Sequence, residues 1–198
     1  VHRRVYNDSE IFERELEKIF SVAWIFVGHV SQTPNPGDFF CTDVARQPVV
    51  MARHNDGTVK VLFNRCGHRG AQVVSPESGS AKTFRCCYHG WEYAMDGTLL
   101  AVPQPRGYEE SNVRPGDPAY GMAPVPRVAE YRGFVFASLS QTGPSLQENL
   151  GPIASSIDDM VDRAPDGEIE IAGGIARHLY HGNWKLVFEN LCDGLHPN

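Results

Sequence analysis

The sequence predicts an α+β chain in which a small all-β domain lies between helical flanks. Three observations carry this reading. Short apolar runs punctuated by Gly, Asn, Asp and Pro crowd the stretch from about residue 36 to 120. An amphipathic helical pattern precedes that stretch, and a second one closes the chain. At 198 residues the chain can bury one sizeable core or two small ones.

In chain order, Ser9 is placed to cap a helix over residues 9–21. There Phe12, Leu16, Ile19 and Phe20 recur at three-and-four spacing beside Ile11. Trp24, Ile25, Val27 and Val30 then alternate loosely and begin strand structure, and Pro34-Asn35-Pro36-Gly37 forms a turn. Strands are expected at 38–42, 48–53 and 59–63, the last two joined across Asn55-Asp56-Gly57, a strong hairpin signal. Residues 82–84 and 91–93 continue the β pattern, with Asp96-Gly97 closing another hairpin. Pro103, Pro105, Pro115, Pro118, Pro124 and Pro126 mark a connection without regular periodicity. Residues 131–139 resume β character, 153–164 read as helix and 169–175 as strand. From 183 to 196, Trp184, Val187, Phe188, Leu191 and Leu195 make a helical stripe, with Asn183 as its N-cap. There is no internal repeat, low-complexity tract or flexible linker.

A formal net charge of −6 and the lack of any Lys/Arg run argue against nucleic acid as a partner. No apolar run reaches the length of a bilayer span, and the first residues lack the apolar stretch of a signal peptide. Five cysteines, two of them adjacent, fit a disulfide framework poorly; reduced cytoplasmic thiols and a metal site fit better. The Asn7-Asp8-Ser9 sequon is then a chance match.

The most informative text is Cys66-Gly67-His68 with Cys86-Cys87-Tyr88-His89. Two short segments offer two thiolates and two imidazoles, each with a glycine close behind. A Rieske-type [2Fe–2S] centre needs that ligand split, two Cys on one iron and two His on the other. Tetrahedral zinc also takes Cys2His2, though its structural sites space ligands by two to four residues, whereas one residue separates Cys66 from His68. The bland alternative is a buried Cys and His pair filling a core. Neighbouring strand residues face opposite ways, so Cys87 is assigned to packing rather than to the metal. Near the end, Glu189 and Asp193 are four apart, and Asn190, Asp193 and His196 follow three-residue steps along one helix flank. By spacing alone that is a solvated face. His178 and His181 read as surface or hydrogen-bonded residues, and Cys41 and Cys192 as small buried hydrophobes.

NRCGHRGA, FRCCYHGWEYAMDG and NWK…ENLCDGLH together resemble the large (α) subunit of the Rieske non-heme iron aromatic ring-hydroxylating oxygenases. The resemblance implies that Cys66 and Cys86 hold the inner iron of the cluster and His68 and His89 the outer one. It implies a cluster domain inserted in the catalytic domain. Residues 1–35 would be the N-terminal part of the catalytic domain, 36–125 the Rieske domain and 126–198 the start of an incomplete remainder. His196 would be the first ligand of a mononuclear Fe(II), with the second histidine and the carboxylate beyond residue 198. Asp193 would bridge His196 to the cluster histidine of a neighbouring subunit, matching His89, and Asn190 would line the site. Cys87 stands where relatives more often have proline, and Leu195 where many have tyrosine. The implied reaction is cis-dihydroxylation of an aromatic substrate with O2 and electrons from NAD(P)H, delivered through a reductase and sometimes a ferredoxin. A monooxygenase or O-demethylase is the alternative with the same metal sites. A Rieske electron carrier is the alternative of another class, but a carrier needs only about a hundred residues and neither the leading helix nor the closing segment. The family further implies a trimer, with or without a small β subunit, in the cytoplasm and without nucleic acid or membrane.

Overall fold

The computed structural model describes residues 1–194; Leu195 and His196 lie outside the described residues. The chain opens with α1 (Arg4–Asn7) and α2 (Ser9–Glu15). Asp8, not Ser9, is the N-cap: extended at φ −93°, its carboxylate accepts the N–H groups of Glu10 and Ile11. The Arg4 guanidinium, 2.7 Å away, helps hold that carboxylate in place. The helix then widens into a π turn over Leu16–Phe20, closed by Ser21 N–H on the Leu16 carbonyl at 3.0 Å.

Ten strands, among the described residues, form three antiparallel sheets. After β1 (Ile25–His29) come β2 (Asp38–Val44), β3 (Gln47–Arg53), β4 (Val59–Phe63) and β5 (Ser78–Ser80), the last four in spatial order β4-β3-β2-β5. Next, β6 (Phe84–Arg85), β7 (Glu92–Tyr93) and β8 (Leu99–Ala101) make a small meander. Finally β9 (Arg127–Tyr131) and β10 (Phe134–Ser138) form a hairpin whose second strand pairs with β1. The β3–β4 hairpin falls where Asn55-Asp56-Gly57 places it, with Gly57 at φ +83°.

β3 explains how the molecule is layered. Val50 and Ala52 enter one core with Phe39, Leu62, Trp91, Tyr93 and Met95, while Val49 and Met51 enter a second with Val27, Phe40, Val44 and Val135. A strand buried on both faces reads as a continuous apolar run, which is what its Val-Val-Met-Ala shows. Cys66 and Cys86 belong to the first core. Asn64, 1% exposed, ties the chain between them: its side chain accepts from the N–H groups of Val73 and Val74 and donates to the Val74 carbonyl at 2.7 Å.

Several expected elements differ. Residues 131–139 are not one strand, because Arg132 and Gly133 turn the chain at φ 53° and 87° and leave Tyr131 on β9. The turn lacks the usual Asn-Gly or Asp-Gly signature. β5 was invisible because Ser78-Gly79-Ser80 has no apolar residue; it exists because the edge of β2 pairs with it, the missing side chain of Gly79 leaving room for the Phe39 ring. The strand expected at 169–175 does not form. No described strand pairs with it, Gly173-Gly174 interrupts it, and the contact it makes is Ile171 N–H on Ser31 Oγ at 3.0 Å. The helical readings hold in part. α3 (Leu146–Leu150) starts at a Ser145–Glu148 capping box, and α4 (Ile153–Val161) is shorter than expected. α5 (Trp184–Cys192) is capped by Asn183, which accepts from Lys185 N–H at 3.1 Å. It ends one residue before Asp193, which is extended at φ −81°, ψ 114°. Asp193 therefore leaves the helix end rather than sharing a flank with Glu189. Of the apolar stripe, Phe188 is 60% and Leu191 78% exposed among the described residues.

Candidate metal centre

The two ligand loops share one backbone frame. Cys66 N–H donates to the Ala71 carbonyl and Gly70 N–H to the Cys66 carbonyl, both at 2.8 Å. Cys86 N–H donates to the Trp91 carbonyl at 2.8 Å and Gly90 N–H to the Cys86 carbonyl at 2.9 Å. The offsets are the same, and Gly70 and Gly90 both sit at φ +70°, a left-handed position that glycine occupies without the steric cost of a side chain. The common Cys-x-x-x-Gly spacing is legible in the text, although only the folded loops show what it does.

The frame points sulfur inward and imidazole outward. Cys66 and Cys86 are 5% and 2% exposed and near enough to interact directly. Tyr93, fully buried on β7, places its hydroxyl 3.0 Å from Cys66 Sγ and accepts Gly67 N–H at 3.1 Å. Burial pushes the Cys66 thiol up, while the Tyr93 hydroxyl and the His68 backbone N–H partly offset the rise. Burial, with the Cys66 sulfur beside it, raises Tyr93 well above the ordinary phenol value, so its proton stays available to donate.

On the outer side the rings of His68 and His89 lie 4.7 Å apart at 70°. His68 stacks on Trp91 at 4.7 Å and 7°, and the Trp91 indole N–H reaches the Tyr108 hydroxyl at 3.3 Å, so the imidazole plane is fixed from behind. Burial, then His89 and Arg69, lowers His68 below the ordinary imidazole value and keeps it in the neutral form that ligates metal. The exposed Tyr88 ring covers His89 at 3.8 Å.

These residues fit a mixed-ligand cluster. His68 Nδ1 is buried without a hydrogen-bond partner among the described residues, a costly state for a polar nitrogen that nothing binds. The four side chains fall into a sulfur pair and an imidazole pair, the split that a two-iron centre requires. Cys87 is exposed while Cys86 is buried, so Cys87 does not pack as expected, and the two stand just past the end of β6 rather than within a strand. Cys41 is half-buried, its thiol pushed up to about 11 by burial. Cys192 is exposed rather than buried, and His178 and His181 are exposed. Asn190 and Asp193 sit at the end of α5, whose described contacts run to the N-terminal helices; His196 lies outside the described residues. Sequence reasoning passed over Tyr93 and Trp91.

Tyr93→Phe is expected to lower the potential of the centre by about 30–60 mV. A hydrogen bond to a ligand sulfur favours the more negative reduced state, and losing about 1 kcal/mol of it corresponds to tens of millivolts for one electron. A redox titration followed by EPR checks this. An unchanged potential with an intact cluster would show that the Tyr93 hydroxyl does not tune the centre.

Two Cys and two His on twin β-loops with a buried sulfur side define a cradle for a mixed Cys/His iron–sulfur centre. The Rieske [2Fe-2S] domain family matches residues 23–126, more than half of the chain, and the protein belongs to that family. It is 37% identical over 197 residues to the 2-halobenzoate 1,2-dioxygenase large subunit of Burkholderia cepacia, covering 98% of this chain and 42% of that one. It is 36% identical over 188 residues to the N,N-dimethyl phenylurea N-demethylase subunit alpha of a Sphingobium species, covering 95% and 40%. Its fold is similar to that of naphthalene 1,2-dioxygenase from a Rhodococcus species, with a TM-score of 0.89 and 32% identity over 96% of this chain and 43% of that one. The chain thus spans less than half the length of the curated relatives it matches. No helix among the described residues is long and apolar enough to cross a membrane.

Proposed function

We propose that this chain is the cluster-bearing portion of the terminal oxygenase subunit of an aromatic ring-hydroxylating dioxygenase. The observation that carries this reading is the extent of the structural likeness. It covers 96% of the chain, whereas the cluster-domain match takes in residues 23–126, so the likeness extends well into the flanking segments. A bare electron carrier has no use for those parts. The proposed division is 1–35 and 126–198 to the catalytic domain with 36–125 inserted. Supporting it, β1 pairs with β10, and α2 meets α5 across 169 residues of chain.

When bound, the [2Fe–2S] centre supplies electrons singly and the mononuclear Fe(II) offers open positions to dioxygen and substrate. The chain's own residues prepare for that chemistry. Cys66 and Cys86, buried in the core, would hold the inner iron away from water. His68, stacked on Trp91, and His89 would hold the outer iron. Asp193, just past the end of α5, is the residue that would carry the proposed bridge between the mononuclear iron site and the partner copy's ring equivalent to His89. A carboxylate between two ligating imidazoles fixes both and sets their basicity. Asn190 lines the same site. Electrons come from NAD(P)H through a reductase, with or without a ferredoxin, and the subunits form a trimer in the cytoplasm, with or without a small β subunit. A monooxygenase outcome is the second reading, favoured by the likeness to an N-demethylase subunit.

The test uses the full-length protein with NAD(P)H, reductase and 18O2, offered naphthalene, biphenyl and 2-halobenzoate. A product carrying two labelled oxygens is expected; one labelled oxygen would replace this reading by the monooxygenase. Asp193→Asn should keep both metals yet slow single-turnover product formation about 10- to 100-fold. Normal single-turnover yield would remove the bridging role.

A further inference from the structure

Glu15 grips the start of α5 with both carboxylate oxygens. Oε2 accepts the Trp184 indole N–H at 2.9 Å, and Oε1 pairs with Lys185 Nζ at 2.5 Å. The pair is largely withdrawn from water, with the Lys185 and Glu15 side chains 19% and 12% exposed. Lys185 in turn lies over the Trp184 ring at 5.2 Å. From the same helix Phe20 meets Trp184 edge-on at 5.1 Å. Farther along α5, the Tyr6 hydroxyl donates to Glu189 Oε1 at 2.6 Å.

The π turn makes this grip work. In an α-helix, residues 15 and 20 would stand about 140° apart around the axis. Hydrogen bonding from i to i+5 widens the turn over Leu16–Phe20, so side chains five apart come to one side. Glu15 and Phe20 then close on the same indole, one on its N–H and the other on its ring. Lone π turns of this kind tend to mark functional places in helices.

We infer that Glu15 is a positioning residue for the oxygenase site: with Phe20 it clamps Trp184 and Lys185 and so sets the direction in which α5 carries Asn190 and Asp193. The inference rests on the oxygenase reading above. Lys185 to Asp193 spans about 12 Å of helix, so a tilt of about 10° at the base moves the far end by about 2 Å. Reaction geometry of this sort tolerates about 1 Å. The described contacts of α5 are with the N-terminal helices, while Phe188 and Leu191 are exposed among the described residues. The clamp therefore fixes the base of this helix against the N-terminal helices.

Two variants test it in the full-length subunit. Glu15→Gln keeps an oxygen for the indole N–H and removes the charge that holds Lys185. Trp184→Phe keeps the ring against Phe20 and removes the N–H. In the metal-free protein, amide hydrogen exchange of residues 184–192 should quicken about tenfold in Glu15→Gln and about threefold in Trp184→Phe. In the metal-loaded protein, kcat per mononuclear iron should fall about tenfold in Glu15→Gln, with KM for the aromatic substrate within twofold and the Rieske EPR spectrum unchanged. Exchange at the wild-type rate in both variants would overturn the clamp. So would a kcat that falls only in proportion to lost iron, since that is a stability effect alone. If the wild-type protein itself bound no mononuclear iron and consumed no O2 with substrate, the oxygenase reading would fail, while the exchange measurement would still judge the clamp.

Discussion

His68→Ala is expected to yield protein that holds neither iron nor labile sulfide, where the wild type carries about two of each per chain. His68 is the proposed ligand with the most distinctive surroundings. Its Nδ1 is buried without a partner among the described residues, its ring is stacked on Trp91, and its pKa is lowered towards the neutral, metal-binding form. Alanine leaves the outer iron one ligand short and opens the site to water. The folding contribution of a bound centre is lost with it, so the melting temperature should drop for the holo protein and change little for the metal-free one. His68→Cys should instead retain a cluster with a shifted spectrum and a lower potential, because thiolate replaces imidazole on the outer iron. Cys87→Ala is the control and should leave the cluster intact, since Cys87 is exposed while Cys66 and Cys86 are buried. Iron and sulfide analysis with EPR after dithionite reduction reads all three. One zinc per chain without sulfide, or a bleached cluster in Cys87→Ala, would end this ligand assignment.

Gly67→Ala should damage the protein more than Gly70→Ala, although the two glycines flank the same histidine. A Cβ at Gly67 would stand 2.3 Å from the Tyr120 carbonyl oxygen and 2.8 Å from that of Gly121. Those are backbone atoms and cannot swing aside, so the first ligand loop must lift from the segment beneath it. The expected cost is about 3 kcal/mol, at the upper end for overpacking, together with most of the bound cluster. Gly70 has open space around it but stands at φ +70°, so alanine there carries only the left-handed backbone penalty of about 1–2 kcal/mol. Thermal unfolding and iron content of the two variants, compared side by side, decide this. Equal losses would mean that the approach of residues 120–121 does not constrain the ligand loop.

Much of this protein was determined by its sequence alone, and the reason is locality. Cys66, His68, Cys86 and His89 could be singled out from side-chain chemistry and spacing within two short segments. Val59–Phe63 and the Asn183 cap were legible because a hairpin turn and a helix start are decided by residues a few positions apart. Helix ends are less secure from local text: Asp8 took the cap from Ser9, and α5 stopped before Asp193. The tertiary structure alone decided what required distant parts of the chain to meet. Tyr93 reaches Cys66 across 27 residues, and Glu15 reaches Trp184 across 169. β5 formed without an apolar residue because an edge of β2 was there to pair with it, while residues 169–175, with better β character, found no described strand. Main-chain pairing and buried polar contacts depend on which surfaces folding brings within about 3 Å of each other, and no window of a few residues contains that information.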